Sequence, residues 1–210
     1  MNPLWPDIAR DASIELTTDQ LDQLDRYLDL LIVANQKMNL TRITDRTDAE
    51  IKHVADSLTL LKYIPPSTDR PLWLADVGTG GGIPGVILAI ARPDVRVTLI
   101  DSTKKKLDAV MYIVEGMGLK NVKALHARME SVELKFDVIT ARAVGPLNQL
   151  LEWCRPLMRH NSILLAMKGP KITEEIEALD SRHVRQFEIG VKKVEYAALD
   201  GHVIARIKKK

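Results

Sequence analysis

Residues 72–85, Leu-Trp-Leu-Ala-Asp-Val-Gly-Thr-Gly-Gly-Gly-Ile-Pro-Gly, decide the fold of this chain. They begin as an apolar strand, continue as a glycine loop and lead into a helix, and Asp101 ends the next predicted strand. Glycines allow a tight turn and the close approach of a ligand, and the free N–H groups of a helix start face the same crevice. The Asp101 carboxylate is placed to accept hydrogen bonds from both hydroxyls of a ribose. This layout predicts a nucleotide-type cofactor site in an α/β sheet.

The spacing of the glycines separates two cofactor classes. Gly80, Gly82 and Gly85 satisfy the dinucleotide pattern G-x-G-x-x-G, but that pattern should start directly at the end of the strand. Here Asp76 stands two positions before the first glycine, Gly78. That arrangement resembles motif I of S-adenosylmethionine-dependent methyltransferases, in which the loop holds the methionine part of the cofactor.

Length, composition and charge restrict the class of protein. A chain of 210 residues suits one domain with a small appendage. We find no apolar run that could cross a membrane, and the first residues include Pro3, Pro6 and Asp7 in place of an apolar signal core, so we expect a cytoplasmic protein. Cys154 is the single cysteine, which excludes disulfides within one chain. The 30 basic and 28 acidic side chains give a net charge of +2, so composition alone does not indicate a nucleic-acid-binding protein.

The first part of the chain predicts two amphipathic helices. Capping boxes at Thr17-x-x-Gln20 and Thr47-x-x-Glu50 mark their starts, and the second helix stops before Pro65-Pro66. We therefore predict an N-terminal helical cap over residues 1–65 and an S-adenosylmethionine-dependent methyltransferase domain over residues 66–210.

From residue 72 onward, strand and helix patterns alternate, which predicts a doubly wound, mostly parallel Rossmann-like sheet of the class I methyltransferase type. The predicted strands cover 72–77, 95–100, 122–126, 136–141 and 162–167, and the predicted helices cover 84–91, 104–116, 147–157 and 173–179. Two β-rich stretches follow at 184–194 and 202–207, and the second should insert antiparallel into the sheet.

Basic side chains follow three of the predicted strands. Arg142 follows the fourth strand, Lys168 follows the fifth, and Arg128 with Glu130 follows the third. Ligands of open α/β sheets bind at the carboxyl ends of strands, so three basic groups there favour a polyanionic substrate. Lys104–Lys106 lie at the start of a predicted helix, where the helix dipole already places partial positive charge. They are therefore either a solvated run of charges or an anion site for backbone phosphate.

The chemistry of base methylation limits which atom of a base this chain could methylate. The chain has neither an Asn-Pro-Pro-Tyr-like motif nor a cysteine nucleophile directly after the fourth strand. Guanine N7 carries a free lone pair at neutral pH, so its methylation needs no general base, and positioning supplies much of the rate. We predict direct in-line displacement on the sulfonium methyl, with Arg142 and Lys168 as the catalytic residues that hold the substrate. His53 and Asp56 share a helix face, but one histidine with one carboxylate is a poor metal site, so we expect no metal.

From about residue 12 to its end, the chain resembles the bacterial 16S ribosomal RNA guanine-N7 methyltransferase G family, also called glucose-inhibited division protein B. The motifs that carry the resemblance are Asn39-Leu-Thr41, His53-x-x-Asp56-Ser57, Asp76 to Gly85, Asp101-Ser102 with Lys105-Lys106, Arg128-x-Glu130, Arg142-Ala143 and Lys168-Gly169. The resemblance implies methylation of a guanine in 16S ribosomal RNA of the small ribosomal subunit, with S-adenosylmethionine as cofactor.

The loop and the resemblance together assign the site residues. The expected cofactor-binding residues are Asp76, Gly78, Gly80, Gly82, Ile83, Asp101, Met129, Glu130 and Arg142. The residues expected to face the RNA are Lys105, Lys106, Arg128 and Lys168. Three positions depart from the family pattern: His202 directly follows Gly201 where many relatives have an Arg-His pair, Ala109 replaces an aromatic residue, and His126 replaces a small or polar one.

Three other functions remain open at this point. A small-molecule or protein methyltransferase would bind its substrate without salt dependence, a nicotinamide oxidoreductase would bind reduced dinucleotide, and a non-catalytic ribosome assembly factor would bind RNA without transferring a methyl group. For the RNA methyltransferase we expect a monomer that acts on the small subunit.

Overall fold

The computed structural model describes residues 2–210 and contains one seven-stranded sheet. Its strands are β1 (Leu72–Val77), β2 (Val95–Asp101), β3 (Val122–His126), β4 (Phe136–Arg142), β5 (Met158–Lys168), β6 (Phe187–Lys193) and β7 (Val203–Lys209). The strand order is β3-β2-β1-β4-β5-β7-β6. The first five strands are parallel, and β7 lies antiparallel between β5 and β6. This order confirms the predicted doubly wound sheet with a late antiparallel insertion.

The helices after β1 cover the two faces of the sheet. They are α5 (Gly85–Ala91), α6 (Lys104–Gly116), α7 (Leu147–Cys154), α8 (Ile172–Glu177) and α9 (Ser181–Gln186), numbered after four helices of the N-terminal part. The chain order of the strands reverses between β1 and β4, and open α/β sheets bind ligands in the crevice at such a reversal. The loops that follow β1 and β4 therefore border the expected site.

The N-terminal part consists of helical segments joined by loops. It contains α1 (Leu4–Asp11), α2 (Thr18–Met38), α3 (Arg46–Ala49), a π-helical segment (Glu50–Ala55), α4 (Asp56–Leu58) and a 3₁₀ turn (Thr59–Tyr63). The capping box of α2 is confirmed, because Thr17 and Gln20 each accept a hydrogen bond from the backbone N–H of the other.

The capping box predicted at Thr47 is wrong. Helix α3 begins at Arg46, and the carboxylate of Asp45 caps it by accepting a hydrogen bond from the N–H of Asp48 at 2.8 Å. Thr47 already has helical backbone within the first turn, so its side chain cannot serve as the N-cap. Glu50 binds Arg46 instead, at 2.9 Å.

The N-terminal helices share a core with the sheet. Trp5, Tyr27 and Leu31 are fully buried in the same apolar cluster as Leu74 of β1 and Leu99 of β2. A second cluster fills the other face of the sheet beneath α7. The N-terminal helices therefore pack directly on one face of the sheet, and the boundary at residue 65 stays a prediction.

Two other expectations differ from the structure. Strand β5 begins at Met158 and not at residue 162, because the sheet extends beyond the apolar stretch that identified it. Residues 181–186 form α9 where a β-rich stretch was expected from residue 184, because Asp180 caps a helix there with a hydrogen bond from the N–H of His183. No helix within residues 2–210 is long and apolar enough to span a bilayer.

Candidate active site

The glycine loop after β1 takes a backbone shape that only glycine adopts readily. Gly78, Gly80 and Gly82 have φ angles of 64°, 54° and 89°. A Cβ at Gly82 would lie 2.7 Å from Val86 and 3.0 Å from the hydroxyl of Tyr27, so this residue is packed against the protein interior. Gly78 and Gly80 are less buried and border the cavities described below. A Cβ at Gly78 would also lie 2.8 Å from the side chain of Val144, so the loop is packed at both Gly78 and Gly82, while Gly78 and Gly80 still line the cavities.

Asp76 supports the loop from beneath. The side chain is fully buried, and its carboxylate accepts hydrogen bonds from the N–H of Gly85 at 3.0 Å and from the hydroxyls of Thr140, at 2.9 Å, and Thr79. Burial raises the pKa of Asp76 to about 6, although these hydrogen bonds and Arg142 act in the opposite direction. Asp76 thus faces the loop from inside the protein, whereas the sequence placed it among the cofactor-binding residues.

Tyr27 of α2 holds the same loop from the other side. Its hydroxyl donates a hydrogen bond to the carbonyl of Gly81 at 2.6 Å, and burial raises its pKa. Sequence reasoning missed this residue. The signal was available, because Tyr27 lies beside Leu24, Leu28 and Leu31 on the apolar face of α2, and a tyrosine hydroxyl buried there needs a partner.

The central cavity lies beside the glycine loop and has a volume of about 1190 Å³. It is lined by the loop with Ile83, by the end of α2 and the segment that follows it, and by Lys106, Arg142 and Ala143. Gly78, Gly80, Ile83 and Arg142, all predicted to bind the cofactor, therefore meet at one cavity.

A smaller cavity shares Gly78 and Ala143 with the central cavity and has a volume of about 320 Å³. We call it the ribose-side cavity after the ribose contact that the sequence predicts for Asp101. Asp101, Met129 and Glu130 line it, together with Gly78 and Ala143. The Asp101 carboxylate accepts hydrogen bonds from the N–H groups of Gly80, at 2.9 Å, and Thr103, at 2.8 Å, and its remaining lone pairs stay available. Asp101 thus combines a fixed orientation with free acceptor capacity.

The outer cavity lies at the carboxyl ends of β4 and β5 and has a volume of about 670 Å³. Arg142 and Lys168, the two predicted substrate-holding residues, both line it. The Lys168 ammonium donates hydrogen bonds to Glu175 at 2.6 Å and to the carbonyl of Gly145 at 2.7 Å, and its side chain is only 10% exposed. Two of its three N–H groups are therefore committed to the wall of the cavity.

Arg142 is fixed by the N-terminal part of the chain. Its guanidinium donates to the carbonyl of Lys52 at 2.6 Å and to Nδ1 of His53 at 3.0 Å. His53 therefore carries its proton on Nε2, which lies 2.9 Å from the hydroxyl of Thr41. Burial and the charge of Arg142 lower the pKa of His53 to about 4, so the imidazole is neutral. Burial also lowers the pKa of Arg142, while Asp56 and Asp76 raise it.

Ala143 is the residue at which the three cavities meet, since it lines the central, ribose-side and outer cavities alike. Its φ angle of 55° lies in the left-handed region, which is uncommon for alanine. Of the predicted RNA-facing residues, Lys106 borders the central cavity, Lys105 is exposed, and the side chain of Arg128 is 79% exposed with only a 3.9 Å contact to Glu130. The structure thus places the predicted cations around one edge of the sheet.

Comparison with known proteins settles the family. The family described as GidB, rRNA small subunit methyltransferase G, matches residues 20–199. The chain belongs to this family. Ribosomal RNA small subunit methyltransferase G of Pelotomaculum thermopropionicum is 40% identical over 173 residues, which cover 80% of this chain and 72% of that protein. The protein of the same name from Lactobacillus delbrueckii subsp. bulgaricus is 38% identical over 184 residues, which cover 84% and 77%.

Solved structures show the same fold at low sequence identity. A ribosomal protein L11 methylase from Lactobacillus delbrueckii aligns with a TM-score of 0.58 and 17% identity, over 76% of this chain and 79% of that one. A variant of MtNAS in complex with S-adenosylmethionine aligns with a TM-score of 0.61 and 15% identity, over 87% of this chain and 72% of that one. Together with family membership, these alignments establish a class I methyltransferase fold. Within residues 2–210, no three His, Cys, Asp or Glu side chains are grouped so that they could hold a metal ion.

Proposed function

We propose that this chain transfers a methyl group from S-adenosylmethionine to N7 of a guanine in 16S ribosomal RNA. The observation that carries the proposal is the meeting of three cavities at Ala143, on the carboxyl edge of the sheet, in a chain of the rRNA small subunit methyltransferase G family. The central and ribose-side cavities together suit a cofactor with an amino-acid part and a nucleoside part, and the outer cavity suits a base.

The residues around the first two cavities fit S-adenosylmethionine. Gly78 and Gly80 present bare backbone at the wall of the central cavity, which suits close contact with the methionine part. Asp101 retains acceptor capacity for the ribose hydroxyls, and Met129 with Glu130 forms the far wall for the adenine. In this proposal Asp76 and Gly82 act from the inner side, where they maintain the shape of the loop.

The chemistry needs positioning more than proton transfer. Gly78, Gly80 and Asp101 would hold S-adenosylmethionine, which would supply an electrophilic methyl group to N7 and keep the electron pair of the broken bond on its sulfur. Because N7 offers a lone pair, the reaction needs no proton transfer. Arg142 and Lys168 therefore act by holding the substrate in position. The neutral His53 fits this role, since it orients Arg142 through Nδ1 and carries no charge of its own.

The cations around the central and ribose-side cavities suit the RNA backbone, since Lys106 lines the first and Arg128 lines the second. Lys105 and Arg128 are exposed, and Lys106 stands at the rim of the central cavity, so these three side chains can contact phosphates that flank the target nucleotide. Lys168 lines the outer cavity and has one N–H beyond the two bonded to Glu175 and Gly145, so it can also contact a phosphate. A ribosomal RNA substrate supports a cytoplasmic site of action, and action as a monomer is part of the same proposal.

The test is methyl transfer itself. Purified protein and radiolabelled S-adenosylmethionine are incubated with small ribosomal subunits from a strain that lacks this modification, and the labelled nucleoside is identified by mass spectrometry. We expect label in 7-methylguanosine. Label in another nucleoside would contradict N7 specificity, and cofactor binding without any label in RNA would favour a small-molecule or protein substrate.

A further inference from the structure

The wall of the outer cavity contains a histidine–carboxylate pair that the proposed mechanism leaves unused. Nδ1 of His202 lies 3.1 Å from Oδ2 of Asp56, and both residues line the cavity. The side chain of Asp56 is 7% exposed and that of His202 is 38% exposed. Within residues 2–210, Nε2 of His202 has no hydrogen-bond partner, so this atom is free to meet a ligand.

The pair joins two distant parts of the chain beside the point where the cavities meet. Asp56 starts α4 in the N-terminal part, and His202 precedes β7 at the carboxyl edge of the sheet. The positive charge of Arg142 lowers the pKa of His202, and the negative charge of Asp56 raises the pKa of Arg142. The pair and the guanidinium are therefore electrostatic neighbours. Arg142 is adjacent in sequence to Ala143, where methyl donor and acceptor must come together under the proposed function.

Guanine and adenine differ at the atom beside N7. Guanine carries the acceptor O6 there, and adenine carries the donor group N6–H₂. A base that presents N7 to the methyl group must also present this neighbouring atom to the wall of its pocket. A hydrogen-bond donor in the wall therefore favours guanine, because with adenine it makes an unfavourable donor–donor contact. A hydrogen-bond acceptor in the wall favours adenine for the corresponding reason.

We infer that His202 is a specificity-determining residue of the outer cavity, which donates a hydrogen bond from Nε2 to O6 of the target guanine while Asp56 positions it through Nδ1. This inference rests on the proposed function, because it requires a purine that is methylated at N7. Protonated His202 donates from both ring nitrogens. Neutral His202 that donates Nδ1–H to Asp56 exposes an acceptor at Nε2, which suits the amino group of adenine and repels O6.

The charges around His202 favour the donor form. The hydrogen bond to Asp56 raises the pKa of His202, while partial burial and the charges of Arg142 and Lys52 lower it, and the net shift is upward. The other charged groups that line the same cavity are Lys168, Glu175 and Asp200, and Lys168 is paired with Glu175. Guanine methylation should therefore decline as the pH rises through the pKa of His202.

The experiment compares methyl transfer to two forms of the small ribosomal subunit, one with the target guanosine and one with adenosine in its place, from pH 6 to pH 9. For the wild type we expect guanosine to be strongly preferred, with a preference that falls at high pH. His202→Phe should lower transfer to guanosine about ten- to hundredfold, the loss expected for one charge-assisted hydrogen bond. His202→Arg keeps a permanent donor and should retain guanosine transfer with a flat profile over this pH range.

Asp56→Asn tests the positioning role. Removing the carboxylate should move the decline in guanosine transfer to lower pH, an effect that a purely structural role would not produce. Binding of S-adenosylhomocysteine serves as the control for folding of every variant. If Asp56→Asn fails that control, the two His202 variants carry the test, because His202 is partly exposed.

The outcomes separate the two proposals. If the wild type places no methyl group on guanine N7, the proposed function is wrong. If the wild type methylates guanosine, but His202→Phe keeps the wild-type rate, pH profile and preference for guanosine, only the role of His202 is overturned.

Discussion

At the scale of single residues, one hydroxyl connects the N-terminal part to the cofactor loop. The hydroxyl of Tyr27 satisfies the carbonyl of Gly81 inside a fully buried contact. A buried carbonyl without a partner costs about 1–3 kcal/mol. The same contact restrains the loop that lines the central cavity, so we expect Tyr27 to support both folding stability and cofactor affinity.

We expect Tyr27→Phe to lower the free energy of unfolding by about 1–3 kcal/mol, because it leaves the Gly81 carbonyl unsatisfied. The affinity for S-adenosylhomocysteine should fall as well, because the loop becomes less restrained. Urea unfolding and calorimetric titration measure the two effects. Tyr112→Phe is the matched control, since Tyr112 is 82% exposed on α6 and should tolerate loss of its hydroxyl. Equal behaviour of the two variants would show that the Tyr27 hydroxyl does not support the loop.

At the scale of elements, the start of α6 concentrates positive charge where the helix dipole opposes it. Lys104 is compensated by Asp108 at 2.8 Å, one turn along the helix. The structure gives Lys105 and Lys106 no such partner within residues 2–210, and Lys106 stands at the rim of the central cavity. Uncompensated lysines at a helix N-terminus cost stability, so their presence beside the cavity fits a role in binding phosphate.

The double variant Lys105→Ala with Lys106→Ala should weaken RNA binding and reduce its salt dependence. Each phosphate contact to a single strand contributes about 0.7 to the slope of log K against log salt, so the slope should fall by about 0.7–1.4. Filter binding over a range of salt concentrations measures the slope, and calorimetry should show unchanged cofactor affinity. The control is Lys135→Ala with Arg155→Ala, which removes the same charge at the opposite edge of the sheet. A slope equal to that of the control would assign the two lysines of α6 to solvated surface.

At the scale of the whole molecule, the N-terminal helices and the sheet share one core. Trp5 is fully buried in the cluster that contains residues of β1 and β2, and its indole N–H donates to the carbonyl of Glu50 at 3.0 Å. The segment from Lys52 to Asp56 then contributes to the walls of the cavities. A helical cap that unfolded independently would therefore remove part of the active site.

We expect the chain to unfold in one cooperative transition and Trp5→Ala to destabilise the whole molecule by about 3–5 kcal/mol, the range for a large aromatic side chain removed from a core. Urea unfolding followed by circular dichroism, together with hydrogen exchange of amides in β1 and β4, measures both expectations. Val33→Ala, at a side chain that is 60% exposed on α2, is the control and should change stability by less than about 0.5 kcal/mol. Two separate transitions, or a Trp5→Ala effect confined to amides of the N-terminal helices, would contradict a shared core.

The structural features that the sequence predicted correctly are specified by residues close together in the chain. The glycine spacing from Gly78 to Gly82 and the carboxylate at Asp101 predicted the loop and its sheet, because a tight turn and a strand end are specified by adjacent residues. The capping box at Thr17 was equally readable, whereas Thr47 misled, since Asp45 two positions earlier is the stronger N-cap. The start of β5 was missed, because pairing with β4 extends that strand beyond its apolar stretch.

The sequence by itself determined the α/β class, the position of the cofactor loop and the family. Only the tertiary structure decided how those parts form a site. Tyr27 reaches Gly81 across 54 positions of the chain, and Arg142 reaches His53 across 89. The placement of Asp76 beneath the loop and the pairing of Asp56 with His202 belong to the same class of contact. Local patterns reflect backbone preferences and periodic burial, whereas these contacts depend on which segments the packed core brings together, and that is a property of the whole fold.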